Sequence, residues 1–259
     1  MNRWLRRIWF VNGIGLLIFL ALFAYERIER GLRPSRDERG PIVGKKLDDA
    51  IAESLAIQDI SMSLPRRIGH STFQFIEFSV KDLTEPVFAY ATIVEPTEPY
   101  YSHERNVLSR HGAINLVFMG LDGSNPHLLL NKKGFIAAAD IPGERDSLQG
   151  FNIYRIVLKD TDDDGRLTRL DRFNLYCSDI NGRNLYPITG DSLRVLNYTK
   201  SVQDDKVYIK ARVQPENDNR PEADWPEHIY VHDLRSNLLS SFFSDPEILK
   251  EARRLLQSD

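Results

Sequence analysis

The chain has 259 residues, 42% hydrophobic and 27% charged, with a formal net charge of −3. This is ordinary globular material with room for one good core, and the balance of charge gives no support to a general nucleic-acid role. A single cysteine, Cys177, excludes an internal disulfide, and ten Tyr with thirteen Phe lean towards β structure.

Residues 8–25 form an 18-residue apolar run interrupted only by Asn12 and two glycines. At roughly 1.5 Å per residue it spans about 27 Å, close to the hydrocarbon thickness of a bilayer. Arg3, Arg6 and Arg7 precede it, as in a signal peptide, but no A-x-A cleavage context follows. The expectation for residues 1–25 is a cytoplasmic tail and an uncleaved signal anchor, with Trp4, Trp9 and Tyr25 at the interfaces. No lipobox-like cysteine follows the run, so lipid anchoring there has no acceptor.

Residues 26–65 read as a charged connector, ending near Pro41 and Gly44, followed by a short amphipathic helix over 46–58. Its apolar face is Leu47, Ala50, Ile51 and Leu55. Residues 66–243 are almost wholly strand in pattern. Strands are expected over 72–80, 86–94, 114–120, 127–130, 135–141, 151–159, 173–178, 185–188, 192–198, 206–213 and 228–232. Two polar loops, 95–105 and 214–227, interrupt them and are rich in Pro and acidic residues. Tyr100 and Tyr101 lie in the first and Trp225 in the second. These aromatics suit contact with a partner or folding back over a sheet edge, and the two readings weigh equally. Residues 244–259 read as a helix capped by Ser244 with Glu247 completing the S-x-x-E box. Phe243 staples onto Ile248, and Ile248, Leu249, Ala252, Leu255 and Leu256 form the buried face.

The chemistry-bearing stretch lies between two strands, in residues 160–171 (DTDDDGRLTRLD). Reading Asp160 as position 1 puts Asp162 at 3, Asp164 at 5, Gly165 at 6, Arg166 at 7, Thr168 at 9 and Asp171 at 12. That is the register of a calcium loop. A hard cation takes six to eight oxygens, alternate carboxylates in a tight turn point at one centre, and glycine accepts the bend at position 6. Position 7 offers its backbone carbonyl, and Leu167 at position 8 anchors the loop in a core. Asp rather than Glu at position 12 shortens the last ligand by one methylene, so the expected affinity is weak, about 10⁻⁴–10⁻³ M. The plainer reading of the same residues is a solvated acidic turn. The flanks read as strands, so this is not a helix–loop–helix sensor.

Orientation in the membrane follows from charge and from this loop together. Arg27, Arg30, Arg33, Arg36 and Arg39 outnumber the three arginines before the apolar run, which alone favours a cytoplasmic domain. A short basic N-terminus resists translocation, however, and a weak calcium loop would stand empty in calcium-poor cytosol. The large domain is therefore expected outside the cytoplasm, in the periplasm.

The stretch 173–189 (FNLYCSDINGRNLYPIT) resembles the repeat of TolB-like β-propellers. Leu175, Tyr176, Asp179, Asn181-Gly182, Leu185 and Ile188-Thr189 carry the match, which covers about one blade hairpin. A fainter internal repeat aligns 116–130, 175–189 and 229–243, with glycine or its equivalent at 123, 182 and 236. The expected fold class is thus all-β, with propeller-like or open antiparallel sheets of about three blade units. Three units are few for a propeller. An unusually small or open propeller, a sandwich-like stack, or chains that complete one another all remain open.

The remaining residues carry no catalytic constellation. His228 and His232 are four apart on a strand, about 13 Å, too far for one ion, and read as surface or half-buried strand residues. Cys177 sits in a strand pattern and reads as a buried structural thiol. Asn197-Tyr198-Thr199 fits a glycosylation sequon, meaningful only in a eukaryotic secretory setting. The TolB-like resemblance implies a protein-binding platform. The functional expectation is a non-enzymatic scaffold or assembly protein of the cell envelope that binds another membrane or envelope protein and uses calcium as a structural brace. A calcium-responsive sensor is the alternative, followed by an enzyme acting on envelope polymers.

Overall fold

The computed structural model describes residues 40–53, 58–83, 108, 112–143, 150–201, 204–213, 225–242 and, near the C-terminus, 248, 250, 251, 254 and 255. The chain divides into two units, Met1–Glu38 and Arg39–Asp259, and every described residue belongs to the second. The expected membrane span, the expected strand over 86–94, Tyr100, Tyr101 and the cap of the C-terminal helix lie outside the described residues. Among the described residues no helix is long and apolar enough to cross a membrane.

The described elements are one short helix, α1 (Lys45–Ala52), and thirteen strands. The strands are β1 (Gln58–Met62), β2 (Arg66–Arg67), β3 (Phe73–Asp82), β4 (Asn115–Gly120), β5 (His127–Leu128), β6 (Phe135–Asp140) and β7 (Phe151–Val157). They continue as β8 (Asn174–Asp179), β9 (Tyr186–Pro187), β10 (Leu193–Lys200), β11 (Lys206–Val213), β12 (Glu227–Asp233) and β13 (Leu238–Ser241). They form three antiparallel sheets in chain order: β1-β3-β4-β5 with β2 beside β3, then β6-β7-β8-β9, then β10-β11-β12-β13. The all-β expectation holds at this level. The three aligned sequence stretches occupy one structural position, the third and fourth strands of each sheet.

The turns of the first two of these hairpins share their backbone. Gly123 and Gly182 have φ of 81° and 80°, and Asn125 and Asn184, two residues on, are also left-handed at 51° and 55°. In each turn the glycine N–H donates to the carbonyl three residues back, Gly120 and Asp179 respectively. The sequence Asp-Gly or Asn-Gly supplies a residue without a Cβ where φ must be positive.

The three sheets stack face to face. Phe75, Leu116 and Phe118 of the first sheet pack with Tyr154 and Ile156 of the second in one apolar cluster. Ile153, Leu175 and Cys177 of the second pack with Val195, Val207 and Ile209 of the third in another. The second sheet is therefore covered on both faces. This is why β7 is apolar at successive residues: Ile153 turns to the third sheet and Tyr154 to the first. Tyr154 is fully buried and satisfies its hydroxyl on Ser178 Oγ, 2.8 Å away.

Three expectations need correction. The helix expected over 46–58 ends at Ala52, and Gln58 opens β1, which pairs antiparallel with β3. The first sheet thus begins ahead of residue 66, inside the expected connector. Within α1, Ala50 is buried and Leu47 half-buried, but Ile51 is exposed. Short apolar runs fit helix and strand periods equally, and pairing with β3 decides between them. At the C-terminus, Ile248, Lys250, Glu251, Arg254 and Leu255 are helical as expected, yet Ile248 and Leu255 are exposed rather than buried. His232, expected on a surface or half-buried, is only 2% exposed, because it faces the second sheet beside Tyr186.

Candidate metal centre

Strand β7 ends at Val157 and β8 starts at Asn174, so the acidic loop is the connection between the two central strands of the second sheet. Its anchor is apolar. Leu167 is buried with Phe135, Ala137 and Val157, the role expected at position 8. Two left-handed residues, Asp163 at φ 58° and Gly165 at φ 80°, bend the chain so that alternate side chains turn inward.

Three of the expected ligands come together. One carboxylate oxygen from each of Asp160, Asp162 and Asp164 lies within 4.8 Å of the others, and among the described residues this is the group of acidic, His or Cys side chains that could hold an ion. Backbone amides orient them. Gly165 N donates to Asp160 Oδ2 at 2.8 Å, Asp164 N to Asp162 Oδ1 at 3.3 Å, and Arg166 N to Asp164 Oδ1 at 2.7 Å. The other oxygen of Asp160, Oδ1, is buried and accepts no hydrogen bond. A buried carboxylate oxygen without a donor is costly, and a cation is one group that satisfies it. The Asp162 carboxyl is held above its ordinary range, first by desolvation and then by the charges of Asp164, Asp171 and Asp160. The Asp164 amide works in the opposite direction.

The other three expected ligands have different surroundings. Asp171 is buried, and its oxygens accept from Thr161 N, Thr161 Oγ1 at 3.0 Å and Thr168 N at 2.8 Å. It ties the two ends of the loop together, so most of its acceptor capacity is already used. Thr168 is buried, and its Oγ1 accepts Leu170 N at 3.1 Å. Arg166 is expected to offer its backbone carbonyl, and its guanidinium reaches Asp82, 3.2 Å from Oδ2, and the Gly40 carbonyl. The three carboxylates thus form one cluster, and Asp171 and Thr168 brace the base of the loop.

The sequence held no sign of what packs against this loop. Residues 41–43 pair with 165–167: Val43 N donates to the Gly165 carbonyl at 2.9 Å, and Leu167 N to the Pro41 carbonyl at 3.0 Å. Gly40 lies so close that a Cβ there would fall 1.5 Å from the Leu167 carbonyl oxygen. Lys46 donates its ammonium to the Asp164 carbonyl, and its stem packs on Gly165. Gln58 joins the pieces, accepting from Ile42 N at 3.0 Å and donating to Asp82 Oδ1 at 2.7 Å. No periodicity marks residues 40–43, since an isolated bridge has no pattern of its own.

Of the expected partner-contact residues, Trp225 is described and is 8% exposed, with the Arg172 guanidinium 5.4 Å above its ring. This contact puts it beside the end of the acidic loop. Cys177 is fully buried between the second and third sheets, and burial pushes its thiol up to about 11. Comparison of the chain with protein-family models and with curated proteins gives no match.

Proposed function

We propose that this protein is a single-pass, membrane-anchored scaffold whose extracytoplasmic β domain binds another envelope protein, with the loop at 160–171 holding calcium as a structural brace. The three sheets are taken as propeller-type blades, consistent with the TolB-like hairpin and its recurrence at one position in each sheet. The observation that carries the calcium reading is the convergence of Asp160, Asp162 and Asp164 around the donorless Asp160 Oδ1. These three residues supply the charge, and backbone carbonyl and water complete the coordination of a hard ion. With three carboxylates rather than more, and Lys46 beside them, affinity is expected to be weak.

Isothermal titration of the full chain with calcium tests the site, with Asp160→Asn and Asp162→Asn as controls. No heat, or heat unchanged by both substitutions, removes it. Crosslinking and pull-down from native membranes tests the scaffold role: an anchored scaffold arrives with its complex, and recovery of the protein alone counts against the reading.

The sensor reading has one observation in its favour. Because 41–43 pairs with 165–167, an ion that stiffens the loop acts directly on the segment that joins the domain to what precedes it. Calcium that changes partner affinity, and not only melting temperature, would favour the sensor.

A further inference from the structure

His232 stands at the seam between the second and third sheets, only 2% exposed, and neither of its ring nitrogens has a hydrogen-bond partner. The residues opposite it in register, Val207 and Leu239, share its face and are apolar. Across the seam lies the Tyr186 ring, 6.1 Å away between centroids, with its hydroxyl buried beside the Cys177 thiol. Cys177 and Tyr186 are opposite in register on the face of the second sheet turned to the third, and burial keeps both uncharged. Nothing is bonded to either nitrogen of the histidine, whereas an imidazolium has two N–H groups to satisfy.

Neighbouring charges give a proton on this ring little support. Asp233 is the next residue and the carboxylate that acts on the ring, but strand alternation turns it to the other face. There it accepts from Arg235 N and Ser236 N at 2.9 Å each. Asp205 is held by Arg235 at 2.7 Å, and Asp179, on the seam face of the second sheet, accepts from Asn184 Nδ2 at 2.6 Å. The cations at the seam oppose a further positive charge: Arg155 lies over the Phe173 and Tyr198 rings, and Lys200 donates to the Phe151 carbonyl. The seam between the first and second sheets is different. His127 packs there on Phe118 but can donate from Nδ1 to the Asn125 carbonyl at 3.2 Å, so its charged form keeps a bond to the protein.

We propose that the seam between the second and third sheets is a pH-operated joint, in which uptake of a proton by His232 loosens the third sheet from the second while the first and second stay packed. The charged ring has no partner in the packed seam and gains water in the open one, so each proton taken up favours opening. The third sheet can part as a unit. The second ends at Pro187 and the third begins at Leu193, and around Gly190 in that short link nothing lies within 4 Å of the position a Cβ would take. Loosening uncovers Ile153, Leu175 and Cys177 of the second sheet.

Cys177, the single cysteine of the chain, is the reporter. The test is its reaction with a dipyridyl disulfide in the full chain in detergent, at pH 7 and pH 5. Dividing each rate by that of the denatured chain at the same pH removes the titration of the thiol itself. The protection so measured falls by about tenfold or more from pH 7 to pH 5, since opening gains up to about tenfold for each pH unit below about 6.5. In His232→Leu it stays constant, and His232→Gln repeats the measurement if the leucine variant fails to fold. A second reporter, Ala139→Cys in a Cys177→Ala chain, lies in the cluster between the first and second sheets and keeps its protection over the same range. Equal protection of Cys177 at both pH values overturns the proposal. So does a fall that persists without the histidine, and so does a parallel fall at residue 139, which would mark unfolding of the whole domain.

Discussion

Gly182 lies against the ring of Phe118 so closely that a Cβ on it would sit 2.4 Å from the ring carbons Cγ and Cδ2. The turn of the second sheet's hairpin is thus fitted onto the core of the first. Gly123 has the same backbone, φ 81° against 80°, but nothing within 4 Å of the position a Cβ would take. The pair separates conformational strain from packing. Gly123→Ala is expected to cost about 1 kcal/mol, for the left-handed backbone alone. Gly182→Ala adds the displacement of a buried aromatic and is expected to cost about 3 kcal/mol. Urea denaturation of the two variants measures the difference, and equal losses would show that the two sheets are not in contact there.

Calcium and pH should act against one another at the acidic loop. The Asp162 carboxyl is raised in the folded protein, so the calcium-free fold is favoured by this group at low pH and loses that contribution as pH rises through the raised value. Calcium bound by these carboxylates, as proposed, would offset the repulsion once the acids are ionised. The increase in melting temperature on adding calcium should be largest at neutral pH and vanish as pH falls towards about 4. A calcium increment independent of pH would argue against carboxylate ligands.

Asp171 and Asp160 should behave differently when neutralised. Asp160→Asn is expected to abolish calcium stabilisation while leaving the calcium-free protein nearly unchanged. Asp171→Asn replaces one of the two oxygens that accept from Thr161 and Thr168 at the buried base of the loop with a donor. It should destabilise the protein with or without calcium, by about 1–3 kcal/mol. Melting curves of both variants, each with calcium and with chelator, distinguish ligand from brace.

The buried histidine predicts a second pH dependence. Desolvation lowers the His232 value, with Asp233 opposing weakly, so the ring is neutral in the fold. Its contribution is present above the ordinary histidine value, about 6.5, and is lost as pH falls below it. His232→Leu should flatten stability between about pH 6.5 and 5, read from melting temperatures with chelator present.

Cys177 should be silent towards thiol reagents in the folded protein. It is fully buried, and its thiol is pushed up to about 11, so little thiolate exists at pH 8 and none is reachable. Reaction with a colorimetric disulfide reagent should appear only on addition of denaturant. Prompt reaction under native conditions would place the second and third sheets apart.

By itself the sequence determined what is local. Alternation of apolar residues located most of the described strands, and the Asp-Gly and Asn-Gly pairs located two left-handed turns. The D-x-D-x-D-G spacing brought Asp160, Asp162 and Asp164 to one point, because ligands two residues apart in a tight turn need no distant partner. Leu167 and Cys177 were readable as buried for the same reason: a strand or a loop anchor carries its environment in its neighbours. The tertiary structure decided whatever depends on residues far apart in the chain. It set Gln58 in a strand rather than a helix, docked residues 41–43 on the acidic loop, and turned Asp171 and Thr168 inward as braces. It also buried His232 between sheets. No window of sequence holds such facts, since each rests on a contact whose partner lies beyond the period of any helix or strand.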